Sequence, residues 1–433
     1  MTDRQREELA VLDAKDQLTD KEFDRYEYLK KQAENEEKIK QFKKNQAASY
    51  DEKISRAGNL AWEFMNKLSN QCFVSVGGLD SIVLYLFLRR EGINVPAVSV
   101  SSLEDKSIQV VHKALGIKPL KPLRSKVEVI REFGWPVISK EIAGKIDLLQ
   151  HPTEDNATVR HAIITGETGA QGGWSTESRM QLAKKWLKLF GGWTNEIEGT
   201  NYDHPDFFVS DKCCYYLKEK PCDDYAKETG RFPFMGLMAS EGGRREKALM
   251  VNGCNYYGVS TTRSAPFATF LRDDLLHLAL EMNTWYLAHA DLFPGVDGKP
   301  LDTIIPTIYG EIFIDKYGKR QTSKAQRTGC SMCGFGIQKE KRPHRFDLLY
   351  ERNPKEWTMW MTHVDQDADG NWYGWGKVLD YIGVAWRYPE WYLGKSLTPP
   401  PPMPGMISLG ELLEMTGEAA RKELKEGDGE NGV

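Results

Sequence analysis

Four cysteines carry the most specific chemistry in this sequence. Cys213 and Cys214 are adjacent in SDKCCYYLKEKP, and Cys330 and Cys333 form a CxxC in TGCSMCGFG. Thiolates are soft ligands for zinc and iron, and two close pairs can converge on one metal centre. Adjacent side chains diverge from the backbone, which suits a tetrahedral zinc site poorly. A cubane is wider, and neighbouring thiolates can reach different irons. The spacing therefore predicts a 4Fe-4S cluster held by Cys213, Cys214, Cys330 and Cys333. A structural zinc site and unligated cysteines are the rival readings.

The second constellation is a glycine turn. Val76–Gly77–Gly78–Leu79–Asp80–Ser81 follows the apolar run CFVSV and leads into IVLYLFLRR. Strand, glycine turn and helix in this order form a phosphate-binding arrangement of α/β folds: glycines let backbone amides approach an anion, and the helix start adds donors. The string is neither GxGxxG nor GxxxxGKS. Glu104 follows the next apolar run, VPAVSVSS, at the carboxyl end of a strand, where α/β proteins bind ligands. Further on, Gly236 to Arg244 reads GLMASEGGR, which places Glu241 and Arg244 near one another.

VSVGGLDS resembles the SGGxDS loop of the adenine-nucleotide alpha-hydrolase superfamily. The CC…CxxC set, with the GxxxxE…R element between its halves, is similar to the cluster motif of adenylyl-sulfate and phosphoadenylyl-sulfate reductase-like proteins, a group that includes DNA phosphorothioation homologues. The match covers roughly residues 61–350. The resemblance implies a parallel α/β sheet with a helical iron-sulfur region, and ATP or a related adenine nucleotide bound with magnesium. It places Gly77, Gly78, Asp80, Ser81, Glu104 and Arg244 at the nucleotide and gives Asp80, Glu241 and Arg244 catalytic roles.

The chain departs from that pattern. Val76 replaces a serine, Leu79 stands where lysine is frequent, Met238 replaces an arginine, and Gly242 replaces a serine. Each change trades an anion-binding or hydrogen-bonding group for an apolar or absent one. No cysteine follows Cys333, and no ECGLH-type segment exists, so the family's thiosulfonate mechanism cannot be carried over. Cys72, Cys222 and Cys254 are the remaining candidate nucleophiles, with Cys72 on an apolar strand that favours a core role.

Other polar groups carry weaker signals. Arg244, Arg245 and Lys247 form a basic patch, Arg263 and Arg272 follow, and KEKRPHR at 339–345 reads as a partner-facing run or a solvated loop. The glycines at 169, 172 and 173 form a substrate loop or a surface turn. DQDADG lacks the glutamate of a calcium loop and reads as a polar turn.

These groups need elements to position them. Residues 1–60 read as a charged helical extension and 61–265 as a nucleotide-binding α/β domain carrying the first cysteine pair. Residues 266–395 read as a helical, cluster-completing region, and 396–433 as a proline-rich linker and short tail. Strands are expected at CFVSV, VPAVSVSS, WPVISKE, FPFMGLMAS and CNYYGVS, and an amphipathic helix over 266–283.

The chain's 433 residues suffice for more than one domain. A formal charge of −4 argues against a broad non-specific nucleic-acid surface and leaves room for a local basic groove. Seven cysteines without secreted-framework spacing, no signal segment and no apolar run of membrane length predict a cytoplasmic protein with no membrane partner. The combined expectation is a nucleotide-dependent sulfur-transfer or redox enzyme using the cluster. The alternatives are a catalytically altered nucleotide- or nucleic-acid-binding component of a larger complex, and an adenylyl-sulfate reductase with an external thiol donor.

Overall fold

A computed structural model describes residues 1–169, 178–259 and 261–386, without the side chains of Arg244, Glu351 and Arg352. The glycines at 172 and 173 and the tail at 396–433 lie outside the described residues. The chain divides into two units, each made of two stretches: residues 1–123 with 217–331, and 124–216 with 332–433.

The first unit carries a six-stranded sheet. Its strands are β1 (Cys72–Ser75), β2 (Ala97–Ser99) and β3 (Lys118–Pro119), then, after β4 (Val137–Ile138) of the second unit, β5 (Phe232–Met235), β6 (Asn255–Tyr257) and β7 (Thr262–Ser264). The order across the sheet is β3-β2-β1-β5-β7-β6, parallel except for the β6–β7 hairpin. Val74 pairs with Ala97 on one side of β1, and Cys72 to Ser75 run level with Phe232 to Met235 on the other. The run CFV is buried throughout, as a central strand covered on both faces must be.

Helices cover this sheet. After the arm of α1 (Asp3–Asp13) and α2 (Asp20–Gln46) come α3 (Tyr50–Lys67), α4 (Leu79–Arg90) and α5 (Lys106–Ala114). Thr2 with Gln5, Thr19 with Glu22 and Ser49 with Glu52 close capping boxes that start α1, α2 and α3. The arm is bound to the rest of its unit, with α2 packing on the helix Gly243–Asn252 and Phe42 buried with Ala239 and Leu249. Helix α4 is apolar nearly all round because it lies in the core and packs against the helix Arg272–Ala288. Leu79, Ile82, Leu84, Leu86 and Phe87 on it are fully buried, and each such side chain contributes about 1.5–3 kcal/mol.

The second unit is mainly helical with an aromatic centre. Trp135, Phe190, Phe346, Trp357 and Trp375 are buried together, and Trp135 meets Trp375 edge to face at 4.8 Å. This packing accounts for much of the chain's tryptophan content. Strand β4 joins this unit, pairing with Gly334–Phe335 rather than with the six-stranded sheet.

The expected fold class needs one correction. The chain has a mixed α/β architecture with a largely parallel sheet, but among the described residues no group of three or more His, Cys, Asp or Glu side chains is arranged to hold a metal. The described residues therefore do not form the expected helical iron-sulfur region. Among the described residues, no helix is long and apolar enough to cross a membrane.

Candidate phosphate site at the glycine turn

Sheet topology directs attention to one place. From β1 the chain moves outward to β2 and β3, then returns to lay β5 on the opposite side of β1. The carboxyl ends of β1 and β5 therefore flank a topological switch point, where α/β sheets open a crevice for ligands. Gly77 and Gly78 leave β1 there, and Gly236 leaves β5 there.

Close approach sets the glycine requirement. A Cβ on Gly236 would lie 2.8 Å from the Ser81 amide nitrogen and 2.9 Å from Ser81 Cα, so only glycine lets β5 reach the start of α4. A Cβ on Gly78 would lie 2.7 Å from the Tyr309 hydroxyl and 3.0 Å from Thr328 Oγ1.

Hydrogen bonds fix the turn. The Gly77 amide donates to Ser81 Oγ at 2.7 Å, and Ser81 Oγ donates to the Gly78 carbonyl at 3.0 Å. The Leu79 amide donates to the Tyr309 hydroxyl at 3.0 Å, which shares a 2.7 Å bond with Thr328. Burial lowers the pKa of His112 and favours its neutral form. Its Nε2 donates to the Gly77 carbonyl at 2.8 Å, leaving Nδ1 to accept from Ser101 Oγ at 2.9 Å. The amides of Gly78 and Asp80 have no acceptor among the described residues. They are the unpaired donors that a helix start offers to an anion.

Charged groups ring these donors. Arg272 Nη1 donates to Asp80 Oδ1 at 2.8 Å, and its Nη2 donates to the Gln326 carbonyl at 2.7 Å. Burial pushes the Asp80 carboxyl up from its ordinary range, nearby Glu241 pushes it further, and Arg272 and Arg327 oppose both. Glu241 ends the short turn Ala239–Glu241 after β5 and pairs with Arg245. Glu104, buried beyond β2, pairs with Lys218, and Glu104 Oε1 lies 3.5 Å from where a Gly77 side chain would start. Of the residues expected at the nucleotide, Gly77, Gly78, Asp80 and Ser81 share the turn and Glu104 stands beside it, as does Glu241, which was expected in a catalytic role. The backbone of Arg244 lies in the helix Gly243–Asn252, and its side chain is outside the described atoms.

Three of the four substituted positions share one property. Val76, Leu79 and Met238 are 4 %, 0 % and 1 % exposed, so the side chains that replaced polar groups are core rather than site. Sequence reasoning did not single out Tyr309, His112 or Lys218, and it noted Arg272 only as a cation following a basic patch, without its Asp80 partner. Tyr309 lies 230 positions from Leu79 and carries no motif that would have linked the two.

The cysteines require a correction. Cys213 and Cys214 belong to the second unit, Cys330 to the end of the first, and Cys333 to the second again. No metal-holding group of side chains forms among the described residues, which overturns the expected 4Fe-4S cofactor and the redox chemistry assigned to it. Burial also bears on the three alternative nucleophiles. It pushes the Cys72 thiol up to about 12, the Cys254 thiol up to about 11, and the Cys222 thiol up as well. All three are held as thiols rather than as nucleophilic thiolates. The site can bind an anion and orient it. Compared with protein-family models, curated proteins and solved structures, the chain matches none of them.

Proposed function

We propose that the first unit binds the phosphates of an adenine nucleotide at the glycine turn, and that the chain acts as a catalytically altered nucleotide-binding component of a larger complex. The observation that carries this reading is the placement of the Gly78 and Asp80 amides, without internal acceptors, at the switch point between β1 and β5. Arg272 and Arg327 add positive charge beside them. The adenine assignment rests on the resemblance of VSVGGLDS to the nucleotide loop. The altered-component reading rests on the buried Val76, Leu79 and Met238 and on cysteine thiols kept protonated by burial.

Calorimetric titration of the full chain with ATP, followed by a phosphate- and pyrophosphate-release assay on the same sample, tests both halves. Saturable binding without turnover is expected. Absence of binding removes the nucleotide reading, and steady turnover removes the altered-component reading.

A further inference from the structure

A two-stranded ribbon, Ile312–Ile314 with Arg320–Thr322, projects from the first unit beside the glycine turn. Its base is fastened to the site. Tyr309, three residues before the ribbon, accepts from the Leu79 amide, and the Arg320 amide donates to Asp273 Oδ1 at 2.7 Å. Asp273 adjoins Arg272, which holds both Asp80 and the Gln326 carbonyl just past the second strand.

The ribbon exposes what a soluble surface usually hides. Phe313, Ile314 and Tyr317 are 46 %, 66 % and 75 % exposed, and Tyr317 is the most exposed large aromatic among the described residues. Its charge is equally one-sided. Residues 311–328 hold five cations, Lys316, Lys319, Arg320, Lys324 and Arg327, against two acids, in a chain whose net charge is −4. One of the acids, Asp315, is turned inward, accepting from the Tyr317 and Lys319 amides at 2.8 and 2.9 Å. Asp273 pairs with Arg320 at 3.4 Å. Lys316, Lys324 and Arg327 form no ion pair with a carboxylate among the described residues, and Lys316 lies over the Tyr317 ring at 5.0 Å.

We infer that the ribbon and the glycine turn together take a single-stranded nucleic acid, with bases on Phe313 and Tyr317 and phosphates on Lys316, Lys324 and the turn. Exposed rings interleaved with unpaired cations supply the two elements that sequence-tolerant strand binding needs: π faces for stacking and charge for the backbone. The ribbon's three-residue strands span about 10 Å and the tip carrying Tyr317 lies beyond them, so a ligand touching both ends extends beyond one phosphate group. This inference rests on the phosphate reading of the turn and extends it from a mononucleotide to a strand. The local basic ribbon also fits a near-neutral protein that lacks a broad basic face.

The test is fluorescence anisotropy of the full chain with a fluorescein-labelled dT20, alongside ATP titration of the same preparations. The wild type is expected to bind dT20. The F313A/Y317A variant should bind it at least tenfold more weakly while keeping wild-type ATP affinity. The K316A/K324A variant should reduce the slope of log affinity against log salt by about 1.4. These side chains are solvent-facing, and unchanged thermal melting checks that the variants fold. Lack of dT20 binding, ribbon variants that bind like wild type, or binding confined to phosphatidylserine vesicles overturns the inference and leaves the ATP result standing. Failure of the wild type to bind ATP overturns the nucleotide reading and this extension with it.

Discussion

Arg272 and Asp80 hold one another across the mouth of the glycine turn, with Nη1 2.8 Å from Oδ1 and both side chains about a quarter exposed. The guanidinium is therefore divided between an internal carboxylate, the Gln326 carbonyl and any phosphate that enters. Asp80 limits the positive charge available to a ligand.

That arrangement predicts a gain of binding from a loss of charge. Asp80→Asn should tighten ATP binding severalfold, equivalent to about 1 kcal/mol for a partly solvated charge near phosphate. Its melting temperature should hold or rise slightly, because burial makes the charged form of Asp80 the costly one despite its Arg272 partner. Paired calorimetric and thermal measurements check both directions.

Proton linkage gives a second prediction. Burial raises the Asp80 pKa, so as pH falls through that raised value the carboxyl takes up a proton earlier than it would in the unfolded chain. Its cost to stability and its repulsion of phosphate are present above the raised pKa and fade below it. ATP affinity in the wild type should therefore rise on acidification relative to Asp80→Asn, which lacks the titrating group. The difference between the two pH profiles is the quantity to measure.

Gly236→Ala tests the close approach of β5 to α4. The added methyl meets backbone at 2.8 and 2.9 Å rather than a movable side-chain tip. The expected cost is about 1–3 kcal/mol by urea denaturation, with ATP binding lost or strongly weakened as the turn shifts.

Tyr309→Phe removes the hydroxyl that accepts from the buried Leu79 amide and meets Thr328. Leaving that amide unpaired should cost about 1–3 kcal/mol and loosen the turn. Amide hydrogen exchange at Leu79 should quicken more than exchange in the helix Arg272–Ala288.

A separate prediction concerns the second unit. His161 faces Glu198 at 2.9 Å through Nδ1 and Glu167 at 3.3 Å through Nε2, so both ring nitrogens meet acceptors and the imidazolium is favoured. The bond to Glu198, followed by that to Glu167, raises the His161 pKa. Its stabilisation should be complete below the unfolded histidine pKa and lost as pH rises through the raised folded value. With His161 about 40 % exposed, Glu198→Gln should remove only about 0.5–1 kcal/mol, and only on the acid side of that transition.

The local grammar of the fold was legible in the sequence. CFVSV, the glycine turn and IVLYLFLRR form β1, the turn and α4 because an apolar run, two glycines and an uninterrupted set of helix-compatible residues act over short range. What joins distant stretches was not legible. WPVISKE contains a strand, but its partner is Gly334–Phe335, almost two hundred residues away. Each unit is assembled from separated segments, and no composition change marks the crossings. The same limit applied at the site. Gly77, Gly78, Asp80 and Ser81 could be named from one motif, whereas Tyr309 and the Asp80–Arg272 pair emerge only after the chain folds. The cysteine reading failed for a related reason: sequence spacing identified two pairs but could not require them to form one metal-holding group.

The most direct measurement is calorimetric titration of the full chain with ATP, run in parallel on wild type, Gly78→Ala and Asp80→Asn. The account predicts saturable binding by the wild type and a clear loss for Gly78→Ala, whose methyl meets the Tyr309 hydroxyl, while Asp80→Asn binds more tightly. No binding by the wild type, or three indistinguishable isotherms, would contradict it.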